Sequence, residues 1–202
     1  MAYQTALTIE SVIKDIDSKK YLLPSIQREF VWSTGQIEKL FDSLMRDYPI
    51  NAFLFWKVPR EKVSEFKFYE FLRDYHQKDN KHNPKANTNG TEDIIAILDG
   101  QQRMTSLYIA LKGTYAYKMS YKRWDNPAAY PKRKLYLNLL AASDDADMFY
   151  DFLFLTEEEA KNIKNDNDEY EGSFWFPVGK ILDFREESDV NDYLIDNDLN
   201  TV

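Results

Sequence analysis

The sequence contains no cysteine. Disulfide staples, zinc–thiolate sites and thiol nucleophiles are therefore excluded, and a reducing, cytoplasmic setting is the compatible one. Histidine is almost as scarce. The only two, His76 and His82, lie near a polar stretch, and neither sits in a histidine-bearing nuclease motif. No apolar run approaches the ~18 residues that a membrane helix needs, so no membrane partner is expected. The opening Met1-Ala2-Tyr3-Gln4-Thr5 lacks the basic-then-apolar pattern of a secretory signal. No internal repeat is present.

What remains is a chain of 202 residues, 44% hydrophobic and 15% aromatic. That suffices to bury a core without metal or disulfide help, as one domain or one domain with an appended piece. The net charge of -8 conceals an asymmetry. Residues 1–137 carry 22 Lys+Arg against 16 Asp+Glu, a net of +6; residues 138–202 carry 4 against 18, a net of -14. The motifs described below all lie in the basic part. The acidic part reads either as a solvated tail or as a shield for a basic site.

Thr8 opens a helical pattern with Ile9, Val12, Ile13 and Ile16 on one face, and Tyr21 to Leu23 reads as a strand stopped by Pro24. Ser33 and Gln36 have capping-box spacing ahead of Ile37, Leu40, Phe41 and Leu44, and Pro49 ends that segment. Ala52 to Val58 predicts a strand, Glu61 to Tyr75 a helix, and Gln77 to Glu92 a long polar loop. Ile94 to Leu98 predicts a buried strand, followed by a helix carrying Met104, Leu107, Tyr108 and Leu111. Leu135 to Leu139 is a further strand. An acidic stretch from Asn162 to Glu171 precedes the aromatic run Phe174 to Val178, and Asp189 to Val202 reads as an acidic helix. Short strands mixed irregularly with helices indicate an α+β fold.

The chemistry concentrates at Asp99-Gly100-Gln101-Gln102-Arg103. A strand delivers the chain to Gly100, which lacks a Cβ and permits a sharp turn or close approach of a ligand. The helix that follows points unpaired N–H groups and partial positive charge at that turn, a natural phosphate site. Gln101 and Gln102 add amides, Arg103 a planar fork suited to phosphate oxygens, and Thr105 and Ser106 hydroxyls one turn further in. Asp99 is either a helix cap or a ligand for Mg²⁺ beside a phosphate. The run is not a Walker loop, which needs a Lys after its last Gly.

A second unusual run is Leu23-Pro24-Ser25-Ile26-Gln27-Arg28-Glu29-Phe30-Val31-Trp32. Arg28 stands among apolar neighbours and needs a partner, whether Glu29, Asp42 or a ligand phosphate.

Together with the helix Gln36 to Leu44 and the stretches Tyr48-Pro49-Ile50 and Leu54-Phe55-Trp56, these runs resemble the N-terminal domain of the GmrSD family of modification-dependent restriction endonucleases. The resemblance covers about two-thirds of the chain, with no departure inside the Asp99-to-Arg103 run. It implies a ParB/sulfiredoxin-like domain, a small mixed sheet with flanking helices, over residues 1–140, followed by an acidic extension over 141–202. It further implies a nucleoside triphosphate site built on Gly100, Gln101, Gln102 and Arg103, with Thr105 and Ser106 beneath and Gln27 and Arg28 facing it. Asp99, Gln102 and Arg103 become the candidate catalytic residues, and Asp99 the candidate Mg²⁺ ligand. Sulfiredoxin chemistry itself is excluded, because it needs a cysteine. The implied biology is phage defence: sensing of modified DNA, nucleotide hydrolysis, and cutting by a separate His-Asn-His nuclease domain or subunit. The acidic end then reads as the edge of one piece of a longer protein or of a split system. The alternatives are a DNA-binding sensor without hydrolysis and a protein-interaction module; a homo-oligomer is compatible with each.

Overall fold

Each helix start that the caps announce is realised in the computed structural model, which describes residues 6–26, 29–89, 93–162 and 173–199. Helix α1 (Ile9–Asp17) begins where the Thr8 hydroxyl accepts from Ser11 N, and it buries Val12, Ile13 and Ile16. Strand β1 (Tyr21–Pro24) follows and is buried throughout. Helix α2 (Thr34–Met45) opens on the reciprocal Ser33/Gln36 capping box and buries Ile37, Leu40 and Phe41.

The helix expected over residues 61–75 is corrected. The chain forms β2 (Leu54–Val58), one helical turn α3 (Arg60–Val63), and two short strands, β3 (Phe68–Tyr69) and β4 (Asp74–His76). Phe68, Phe71, Leu72 and Tyr75 have helical spacing, which invites the wrong period. The fold separates them instead. Phe68 packs in a small cluster with Leu22, Val58, Val63 and Ile94, whereas Phe71 and Leu72 join the main core. One helix face cannot serve two cores, and aromatic residues fit a pleated surface well.

Strand β5 (Ile94–Asp99) leads through Gly100 into α4 (Gln101–Lys112). There follow β6 (Thr114–Ala116), β7 (Lys132–Ala142), β8 (Tyr150–Leu155), α5 (Glu157–Asn162), β9 (Trp175–Pro177), a 3₁₀ turn at Val178–Leu182, and α6 (Glu187–Asp196). The strands form two mixed sheets. The first has the order β2-β5-β1-β3, with β1 and β5 parallel and the outer pairs antiparallel. The second has the order β4-β6-β7-β8, with β9 also on β7. The fold is α+β, as the irregular pattern indicates. Among the described residues no helix is long and apolar enough to cross a membrane.

Helix α4 is the hub. It touches α1, α2, β6, β7 and the 178–182 turn, and from Gln101 to Leu111 every residue except Arg103 is buried. A helix enclosed on all sides holds its ends in fixed positions, which is what a site at either end requires.

Where α2 meets β8, Glu38 accepts from Phe154 N at 3.0 Å. Burial, opposed by that N–H and reinforced by the Asp151 carboxylate, pushes the Glu38 carboxyl from the ordinary 4.5 up to about 7. A raised acid favours the fold only while protonated. Its contribution is complete below pH 4.5 and is lost as pH rises through about 7, on the order of 3 kcal/mol across the window. Glu38→Gln keeps an acceptor and removes the titration. Urea denaturation at pH 5 and pH 8 should therefore show a smaller loss of stability for Glu38→Gln than for wild type. Equal losses would contradict the burial argument.

Candidate functional site

Strand β5 buries Ile94 and Ala96 against the smaller cluster and Ile97 against the main core, and leaves Asp99 at its exposed end, opposite Leu54 of β2. The chain then turns at Gly100, with φ 87° and ψ 9°, which is left-handed backbone. An L side chain is costly there, so the glycine is a geometric requirement. Met104 N donates to Gly100 O at 2.9 Å, closing the first turn of α4. Gly100 has no side chain to cap the helix, so the first-turn amides face the turn with no acceptor inside the helix.

The turn is not open, and this corrects the expectation of a free anion cradle. Gly100 is buried. A Cβ built on it would lie 2.4 Å from Cδ1 of Phe53 and 3.1 Å from an Arg103 guanidinium nitrogen. The Phe53 ring therefore lies directly over the turn, and the Arg103 guanidinium stacks on that ring at 4.6 Å.

Arg103 is a clamp on the segment before β2. Its Nη1 donates to Ile50 O and its Nη2 to Ala52 O. The Asp99 carboxylate stands 3.9 Å from Nη2, with the Arg103 side chain 15% exposed and that of Asp99 73%. That segment is itself shaped by Asn51, in left-handed backbone at φ 69°, whose Oδ1 accepts from Ala52 N at 2.8 Å.

Gln102 clamps a second segment. Its Nε2 donates to Glu29 O at 2.9 Å and its Oε1 accepts from Val31 N at 3.0 Å. The side-chain amide thus pairs with the main chain as a neighbouring strand would. Glu29, the residue after Arg28 in sequence, is thereby held beside the first turn of α4. Its carboxylate in turn meets the His82 imidazole of the polar loop. Gln101 is buried at the helix start.

The hydroxyls expected at the site from Thr105 and Ser106 are in the core. Both side chains are buried, and Ser106 Oγ donates to Gln102 O of its own helix. Gln27 and Arg28 lie outside the described residues. The Asp42 carboxylate, considered as a partner for Arg28, accepts from Phe149 N, Tyr150 N and Arg46 Nη1. Burial is the largest single effect and pushes its carboxyl up, but those three donors together outweigh it and hold the carboxyl below the usual range.

The structure thus brings together Asp99, Gly100, Gln102 and Arg103 with three features that sequence reasoning missed: the Phe53 ring, the carbonyls of Ile50 and Ala52, and the backbone of Glu29 and Val31. Only Phe53 left a signal, as an aromatic residue between Tyr48-Pro49-Ile50 and Leu54-Phe55-Trp56. Backbone groups are the same at every position and leave none. Among the described residues no group of three metal-ligating side chains occurs.

Comparison with known proteins adds two findings. Residues 9–200 match the family model described as GmrSD restriction endonuclease, N-terminal domain. A stretch of 100 residues is 33% identical to an uncharacterised protein of Methanocaldococcus jannaschii; it spans 50% of this chain and 16% of that protein.

Proposed function

The chain belongs to the family of GmrSD restriction endonuclease N-terminal domains, and we propose that it is the nucleotide-binding, nucleotide-hydrolysing regulatory domain of a cytoplasmic phage-defence restriction system. In this reading it senses modified DNA, and cutting belongs to a separate His-Asn-His nuclease domain or subunit. The ParB-like relationship suggested by the motif is part of the same proposal.

One observation carries the reading: a left-handed glycine at the N-terminus of a buried helix, with an arginine and an exposed carboxylate at its mouth. Phosphate oxygens would be met by the first-turn amides and the positive end of the α4 dipole. The bonds from Arg103 to Ile50 and Ala52 engage two of its five donors, so further donors remain for an anion. Asp99 supplies the hard, solvent-accessible oxygen that Mg²⁺ prefers. Mg²⁺ is commonly held by one or two carboxylates plus phosphate and water, so a larger acidic cage is unnecessary. The bound metal would neutralise charge on the phosphates; Asp99 would fix its place. Gln102 acts by position, holding the main chain of Glu29 and Val31 against the turn. Phe53 must swing aside for a phosphate to reach the amides, so the described conformation is the closed one.

The test is phosphate release from each of the four common nucleoside triphosphates with Mg²⁺. Release that stops when the metal is chelated is the expected result. Tight DNA binding with no turnover and no response to nucleotide would instead support a DNA sensor without hydrolysis.

A further inference from the structure

The opposite end of α4 carries a different concentration of charge. Lys112 of α4, Lys134 of β7 and Lys180 of the 178–182 turn line one cavity of about 310 Å³, with Asp183 the single carboxylate residue among its walls. Three segments far apart in sequence each bring one lysine to the same place. Its floor is main chain in close contact. A Cβ on Gly113 would fall 1.7 Å from Arg73 O, and one on Gly179 would fall 2.5 Å from Leu111 O. Neither glycine can be replaced without parting the segments, so the cleft has a fixed shape. Arg73 lies beside this floor and is ion-paired with Asp74 at 3.9 Å. Its Nε donates to Lys112 O at 3.0 Å, while its side chain stays 58% exposed.

These cations are only partly neutralised, Arg73 by Asp74 and Lys134 by the nearby Glu157 carboxylate, which Lys161 and, to a lesser extent, Lys134 hold lower. Lys112 lies 3.6 Å from Asp17, both half-exposed, and its place in the last turn of α4 suits the helix dipole. The Lys180 ammonium rests 5.6 Å from the centre of the Tyr193 ring. Neither Lys134 nor Lys180 forms an ion pair with a described carboxylate. Lys134 sits in a strand and has no helix dipole to answer. Like charges converging on a concavity raise the local potential and favour an anion there, and ammonium groups bind phosphate as point charges. The volume lies at the lower end of the range for ligand sites.

We propose that this cleft is a second anion site that binds phosphate groups, either those of a nucleic-acid backbone or those of a free polyphosphate. It is separate from the Gly100 turn by the length of α4, about 18 Å at 1.5 Å per residue. The proposal does not rest on the nucleotide reading of that turn.

The test uses the whole chain with two probes, a short DNA duplex and inorganic tripolyphosphate. Binding is measured for wild type, Lys134→Gln/Lys180→Gln and Asp183→Asn, at matched melting temperature. The double variant should bind at least one probe about tenfold or more weakly, and Asp183→Asn should bind it severalfold more tightly. If the duplex is the ligand, the salt dependence of its affinity should also flatten by about two charges' worth in the double variant. Loss confined to tripolyphosphate assigns the cleft to free polyphosphate, and loss of duplex assigns it to the nucleic-acid backbone. Equal binding of both probes by wild type and the double variant, or binding of neither by wild type, overturns the proposal. Should the double variant not fold, unchanged affinity in Asp183→Asn overturns it equally. Nucleotide turnover in the double variant is expected to persist, which keeps failure at this cleft distinct from failure at the Gly100 turn.

Discussion

Arg103→Ala is expected to destabilise the domain by about 3–5 kcal/mol. The guanidinium donates to the carbonyls of Ile50 and Ala52, and hydrogen bonds from a charged group contribute ~1.5–3 kcal/mol each. Its stacking on Phe53 adds ~0.5–1 kcal/mol. These contributions overlap, since all three hold the same short segment. For a chain of this size the loss corresponds to a melting temperature lower by roughly 10 °C or more. Thermal denaturation of the purified variant checks it, and a drop of only a degree or two would show that the clamp is weak. Loss of nucleotide binding in this variant would not identify a phosphate ligand, because the site would loosen in any case. Arg103→Lys retains charge without the planar fork and should fall between wild type and alanine in stability.

Gly100→Ala carries the other large effect, and for two separable reasons. The backbone at φ 87° disfavours any L side chain, by ~1–2 kcal/mol. The new methyl would also meet Phe53 Cδ1 at 2.4 Å, so the ring must move and give up its contacts with Gly100 and Arg103. A total of about 2–4 kcal/mol is expected. A double-mutant cycle separates the parts. In a Phe53→Ala background the collision disappears, and Gly100→Ala should then cost only about the backbone strain. An equal cost in both backgrounds, measured by chemical denaturation, would place Phe53 away from the turn.

Much of the framework is legible because it is written in local chemistry. Thr8, and Ser33 with Gln36, announce helix starts through side chains that bond within three residues. The β5–Gly100–α4 junction is legible because the period changes abruptly at a glycine. The region of residues 61–75 is misread because Phe68, Phe71, Leu72 and Tyr75 keep helical spacing while serving two cores. Only tertiary contacts decide that case. The same holds at the site. Long polar side chains at Gln102 and Arg103 look available to a ligand in sequence, yet they bond to main-chain groups 51 to 73 residues away. Those partners carry no residue-specific signal. Thr105 and Ser106 are misread because α4 is enclosed on every side, whereas the helical pattern suggested one buried face. The lysine cleft is illegible for a related reason, since Lys112, Lys134 and Lys180 meet only after α4, β7 and the 178–182 turn have packed.

Asp99 allows the central claim to be tested without disturbing the fold. Its side chain is 73% exposed and stands 3.9 Å from Arg103, so Asp99→Asn should leave stability within about 0.5 kcal/mol of wild type. Lys14→Ala, at an exposed ion pair with Glu10 on α1, is the matching control. The decisive measurement is calorimetric titration of wild type, Asp99→Asn and Lys14→Ala with nucleoside triphosphate in the presence of Mg²⁺. If the Gly100 turn holds phosphates with a metal placed by Asp99, wild type and Lys14→Ala bind alike, and Asp99→Asn binds about tenfold or more weakly at an unchanged melting temperature. Equal affinity in all three proteins, or no binding of any nucleotide by wild type, would contradict the account.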